Sequence, residues 1–206
     1  MKLNKKATSI AEAMVVMLII VSWVTWMYKI YSESVNLSNS TTNKIQAIQI
    51  AKQWIEAFTN IRDTNWLKFS SDYENCWNVI NYNSLCIWDT TSVFDIQNNK
   101  SYIIYKDIDN RWLLEEKNTG LYSEQTYRDN FKIRLDNWIY TQTWWIDLIP
   151  VFTREMQISY LKADWTTPWT ESDPKIKVTS MIQWLDNTST VPHKIEIEQI
   201  LSNWKK

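Results

Sequence analysis

Few side chains in this 206-residue chain are equipped for covalent or metal chemistry. There is one histidine, His193, and no pair of cysteines at zinc-ligand spacing. That leaves little material for a metal site or for imidazole general-base catalysis. Adjacent acids such as Glu115 and Glu116 fall in a strand-like run, where neighbouring side chains point to opposite faces and read as solvated or edge residues. No nucleophile elbow or phosphate-binding loop occurs, so neither an enzyme nor a cofactor is expected. The carboxylate that stands out is Glu12, at the start of an uncharged, mostly apolar run from Ala13 to Tyr28. A carboxylate at the edge of a membrane helix is costly and usually has a cationic partner. The bland alternative places Glu12 at headgroup level, favoured by the dipole of the helix N-terminus.

Counting Ile10 and Ala11, the run is about long enough to cross a bilayer as a helix. Lys2, Lys5 and Lys6 precede it and few positive charges follow closely, which favours an inside N-terminus with the bulk of the chain outside. In that topology Cys76 and Cys86 read as a small-loop disulfide; in a reducing cytosol they would be two free thiols. The net charge of −1 gives no basic excess for nucleic acid. Three readings of the N-terminus compete. One is a secretory signal cleaved near residues 23 to 27, which needs small residues at Trp23 and Trp26. Another is an uncleaved single-span anchor of an envelope binding or adhesion protein.

The third rests on Lys5 to Glu12, KKATSIAE, which resembles the signal of type IV prepilins and type II secretion pseudopilins. In that family a short basic leader ends in a small residue, usually Gly, and the fifth residue of the mature chain is Glu. A cut between Ala7 and Thr8 makes Glu12 that residue; Ala7 and Thr8 depart from the commoner Gly and Phe. The stretch NKIQAIQIAKQWIEAFTNIRDTNWLKF (Asn43 to Phe69) is similar to the second half of the long pilin helix, and the ending ILSNWKK also resembles the family. The resemblance implies cleavage by the prepilin peptidase, N-methylation of Thr8, and assembly through Glu12 into a filament. The implied partners are other pilin subunits, the inner-membrane assembly platform and membrane lipid. The implied location is the inner membrane with the C-terminal domain outside, then an extracellular or periplasmic filament.

The elements that position these residues follow from periodicity. Ile45, Ile48, Ile55, Phe58 and Ile61, with Ala47 and Ala51 nearby, have helical spacing. No proline occurs before Pro150, so the polar stretch Ser32 to Lys44 is either a joint or continued helix. A continuous helix from Thr8 to about Asn65 would measure roughly 85 Å. Ser70 to Asn99 reads as a connecting region. Beyond it the period changes to two, in SYIIYKD (Ser101 to Asp107), RWLLEE (Arg111 to Glu116), FKIRLD (Phe131 to Asp136), TREMQISYL (Thr153 to Leu161), KIKVTSMIQWLD (Lys175 to Asp186) and HKIEIEQILSNW (His193 to Trp204). Taken in pairs, these predict three antiparallel hairpins. The expected fold is α+β and pilin-like: a long N-terminal helix, membrane-spanning in its first half, packed on an antiparallel sheet. The expected segments are a leader over 1–7, a transmembrane and assembly helix over 8–30, its continuation over 31–69, and an outer β domain over 70–206.

One compositional anomaly remains. The chain has 14 Trp and 1 Gly, where average usage predicts roughly 14 Gly. Trp88, Trp138, Trp144, Trp145, Trp165 and Trp169 sit in turn-like contexts such as YTQTWWID and ADWTTPWTESDP, where the backbone usually needs glycine. This predicts a lineage that reads the codon UGA as glycine, with those positions, and Trp23 and Trp26, being recoded. Trp54 joins them because the resembling prepilins carry Gly there. Trp66, Trp112, Trp184 and Trp204 lie inside apolar patterns and are expected to be genuine; Trp77 fits either reading.

Overall fold

The computed structural model describes residues 10–87, 95–136, 139–141, 152–161, 175–186 and 190–203. The chain divides into two compact units, Met1–Lys44 and Ile45–Lys206. A single helix, α1, runs from Ile10 to Lys68. The weak helix formers between Ser32 and Lys44 do not interrupt it. There the Thr41 and Thr42 hydroxyls donate back to the carbonyls of Leu37 and Ser38, at 2.8 and 2.9 Å, so they do not compete for outside partners.

In the second unit α1 buries Ala47, Ile50, Ala51, Trp54, Phe58, Ile61 and Asn65. These recur every three or four residues and define one stripe. The stripe expected from sequence is thereby corrected: Ile45 is exposed and Ile50 takes its place, because the buried face is centred on the small Ala47 and Ala51. Small residues there let the helix approach the sheet closely, while fully burying an Ile or Phe contributes about 1.5–3 kcal/mol.

Three short elements follow α1: α2 (Tyr73–Cys76) and 3-10 turns at Ile80–Tyr82 and Ser84–Cys86. The sheet comprises β1 (Lys100–Lys106), β2 (Trp112–Lys117), β5 (Phe152–Leu161), β6 (Lys175–Trp184) and β7 (His193–Ser202), in the order β2-β1-β5-β6-β7 and antiparallel throughout. The fold is therefore α+β, a long helix packed on a five-stranded antiparallel sheet. Cross-strand register places Met156, Ile158, Ile176, Val178 and Ile182 on one face, in apolar clusters with the α1 stripe. Alternation sends Glu155, Gln157, Met181 and Gln183 to the other face.

The β1–β2 and β6–β7 hairpins form as expected. The third expected hairpin does not. Phe131 ends a short helix, α3 (Gln125–Phe131), and Arg134–Asp136 (β3) pairs with Ile139–Thr141 (β4) in a separate small sheet. The strand TREMQISYL instead pairs along its whole length with β6 and, through its middle residues Met156, Gln157 and Ile158, with β1. Only a single bridge, Lys132 to Thr153, links it to the FKIRLD segment. Two long neighbours with apolar faces outcompete one short partner.

Candidate functional site: the exposed apolar helix and the cysteine loop

Residues 10 to 31 of α1 are all exposed, although the run is rich in Val, Ile, Leu and Met. It is the one helix among the described residues long and apolar enough to cross a membrane. Two of its hydroxyls are satisfied internally. The Ser22 hydroxyl donates to Leu18 O at 2.8 Å, and the Thr25 hydroxyl to Val21 O and Ser22 O at 3.0 and 2.9 Å. Glu12 occupies the first described turn, where the positive end of the helix dipole favours a carboxylate. It is exposed and makes no ion pair among the described residues. Farther along, Lys29 and Glu33 approach only to 4.0 Å and are both exposed, a pair of negligible worth. Ala7 and Thr8 lie outside the described residues.

The other notable constellation joins the end of α1 to the sheet. Cys76 and Cys86 are bonded at 2.04 Å, with Cα atoms 5.3 Å apart, and both are buried. Within the loop they close, the buried Asn65 of α1 donates to the carbonyls of Trp77 and Val79 at 3.3 and 3.0 Å. Asn78 donates to the Tyr160 hydroxyl at 2.8 Å, which in turn donates to Ile96 O at 2.7 Å. Burial pushes the Tyr160 phenol well up, so it stays a proton donor throughout the accessible pH range. The neighbouring Tyr102 phenol is raised, also by burial, to about 12. Asn81 stands in a left-handed conformation (φ 56°) and its amide both donates to Leu114 O, at 3.1 Å, and accepts from Leu114 N–H, at 2.9 Å. That one side chain satisfies the backbone of edge strand β2 where a further strand would otherwise dock. The loop is a built scaffold tied into helix and sheet, not a slack connection.

Comparison with protein-family models, characterised proteins and solved structures finds no match to this chain. The assignment of a role therefore rests on the residues themselves.

Trp23 and Trp26 are exposed on the apolar run, in edge-to-face contact at 6.1 Å. Trp54 is fully buried on the α1 stripe, with the Arg154 guanidinium 3.4 Å from its ring centre. Its Nε1 is the one tryptophan nitrogen buried without a hydrogen-bond partner among the described residues. The other described tryptophans are better provided for. Trp66 Nε1 donates to Asn203 at 3.2 Å and its ring carries the Arg62 guanidinium at 4.5 Å. Trp184 Nε1 donates to Asp186 at 3.1 Å and its ring stacks on His193. Trp112 lies under Lys106 Nζ at 4.8 Å, and Trp77 is buried in the cysteine loop. Trp88, Trp138, Trp144, Trp145, Trp165, Trp169 and Trp204 lie outside the described residues.

Sequence reasoning missed the asparagines at 65, 78 and 81, because an isolated Asn carries no pattern. It also missed the buried neighbours Arg154 and Glu155, whose adjacent opposite charges resemble an exposed strand.

Proposed function

We propose that the chain is a structural subunit of a type IV pilus or type II secretion-like filament. A prepilin peptidase cuts between Ala7 and Thr8, the new Thr8 amine is methylated, and the apolar run holds the subunit in the inner membrane with the C-terminal domain outside. An assembly platform then draws that run into a filament, packed against the same segment of other subunits. The observation that supports this reading is a helix whose residues 10 to 31 expose nearly everything they have that is apolar, interrupted by one carboxylate, while residues from Ala47 onward pack on the sheet. A run of this composition needs a cover, first lipid and then other subunits.

Within a helical core Glu12 would be a costly buried charge unless paired. The amine freed at Thr8 is the cation that cleavage supplies. Pairing between Glu12 of one subunit and Thr8 of a neighbour would set the axial register. In this reading the outer domain needs no catalytic group, no metal and no cofactor.

The N-terminal mass of membrane-extracted protein tests the proposal. A chain beginning at a methylated Thr8 is the expected result. A start near residues 23 to 27 would make it a secreted protein, and an intact leader an ordinary single-pass anchor.

A further inference from the structure

The face of the sheet turned away from α1 carries a cavity of about 620 Å³. Leu121 and Tyr122, from the segment before α3, line one side of it. Glu155, Gln157, Met181 and Gln183 line it from the sheet. Glu155 is 1% exposed, in the middle strand of the five. Its carboxylate is held by three neutral donors: Oε1 accepts from the Ser101 hydroxyl at 2.5 Å and from Gln157 Nε2 at 3.1 Å, and Oε2 from the Tyr127 hydroxyl at 2.8 Å. The proximity of this carboxylate adds to burial in pushing the Tyr127 phenol far above its usual range, so Tyr127 remains a donor.

Two features of this arrangement point to a ligand. Among the described residues no cation answers the Glu155 charge. The basic side chains that reach the cavity are used elsewhere: Arg128 ties the carbonyls of Tyr122 and Ser123 at 2.8 Å, and Lys194 pairs with Glu196 at 2.6 Å. Arg154, next in sequence, is on the opposite face. A buried carboxylate without a counter-charge is expensive. Secondly, a carboxylate has about four acceptor positions, and three are filled, leaving one on Oε2. A single acceptor suits a compact ammonium; a guanidinium fork prefers both oxygens of a carboxylate at once. The apolar walls suit an alkyl stem.

We propose that this cavity binds a primary alkylammonium group, as carried by a lysine side chain of a partner segment, with the stem between Leu121, Tyr122 and Met181 and the nitrogen on Glu155 Oε2. The site lies in the outer domain and does not depend on how the N-terminal helix is used.

The test uses the full chain in detergent micelles with methyl-labelled methionine. Its probe is Nα-acetyl-lysine methylamide, compared with the norleucine analogue, which keeps the stem without the charge, and the arginine analogue. The lysine probe is expected to shift the Met181 methyl signal saturably, with the norleucine and arginine probes at least about tenfold weaker, the value of one hydrogen bond to a charged group. Glu155→Gln should weaken the lysine probe by a similar factor. Gln183→Lys places an ammonium on the same sheet face beside Glu155, leaves the Met181 reporter in place, and should abolish probe binding. No saturable shift, equal binding of lysine and norleucine probes, or full binding to Gln183→Lys would each overturn the proposal. Arginine binding as tight as lysine would overturn the choice of ammonium.

Discussion

The Trp54 ring lies flat beneath a guanidinium: Arg154 Cζ is 3.4 Å from its centroid, and both side chains are withdrawn from water. A Trp–Arg contact of this kind contributes about 2 kcal/mol when desolvated. It is bought with an indole N–H that finds no partner, which costs about 1–3 kcal/mol. Desolvation also lowers the Arg154 pKa well below its usual value. The contact is thus close to neutral in energy, unlike that of Trp66 or Trp184, whose ring nitrogens are satisfied.

If UGA is read as glycine in the source lineage, protein made by that lineage carries Gly at residue 54. Its tryptic peptide from Gln53 to Arg62 should then be lighter by the Trp-to-Gly mass difference, while the peptide carrying Trp66 should not change. Both peptides at Trp mass, or UGG codons at residues 54, 88, 138, 144, 145, 165 and 169, would end the recoding idea.

Replacing Glu12 by Gln keeps size and hydrogen bonding and removes the charge. The variant should insert in the membrane and be cut after Ala7, since the apolar run and leader are untouched. It should enter filaments poorly, because leaving one partner of a buried pair alone costs about 3–5 kcal/mol. The measurement is the ratio of protein in sheared filaments to protein in membranes. Equal ratios for variant and wild type would return Glu12 to a headgroup role.

Cys86→Ser should lower the unfolding free energy of the unit Ile45–Lys206 by about 2–3 kcal/mol, from loop-closure entropy. Asn81→Ala should cost about 1–3 kcal/mol by leaving the Leu114 N–H and C=O without their amide. Denaturant titration of each variant checks both. Thiol labelling of unfolded, unreduced wild-type protein should modify neither Cys76 nor Cys86.

The β1–β2 turn offers a titration with a defined sign. The Asp107 carboxylate accepts the backbone N–H of Arg111 at 2.8 Å, then the Arg111 guanidinium and the N–H of Asp109, and these hold its pKa below the ordinary 3.8. A depressed carboxylate stabilises the fold above its unfolded pKa and loses that contribution as pH falls through the folded value. The Arg111 amide resonance should therefore stay constant down to pH 4 and move below it. Asp107→Asn should abolish the movement; a midpoint above pH 4 would contradict the geometry.

The parts of this fold legible in sequence were those set by local pattern. Asp107 to Arg111 between two alternating runs announces a tight turn, and no proline stands in the path of α1. Pairing between distant strands was not legible. TREMQISYL displays both charges and apolar residues, and only its central place in the sheet explains why Arg154 and Glu155 are both buried, on opposite faces. α3 was missed because it is a single seven-residue segment whose N-cap, Glu124, makes no capping bond. Too short for a 3.6-residue period to show, it is held by Tyr127 and Phe131 packing into the core. The cavity over Glu155 arises from this unannounced helix and that long-range strand, so no local motif could have disclosed it.

The inward-turned hydroxyls of Ser22 and Thr25 have a further consequence. Each is already satisfied by its own helix, so neither asks anything specific of its surroundings in the way of hydrogen bonds. Exchanging one apolar surrounding for another breaks neither bond and strands neither hydroxyl. At these two positions the segment is solvent-agnostic, and the polar groups that feel a change of greasy surroundings are the Glu12 carboxylate, the Lys29 ammonium, the Trp23 and Trp26 indole N–H groups and the Tyr28 and Tyr31 hydroxyls.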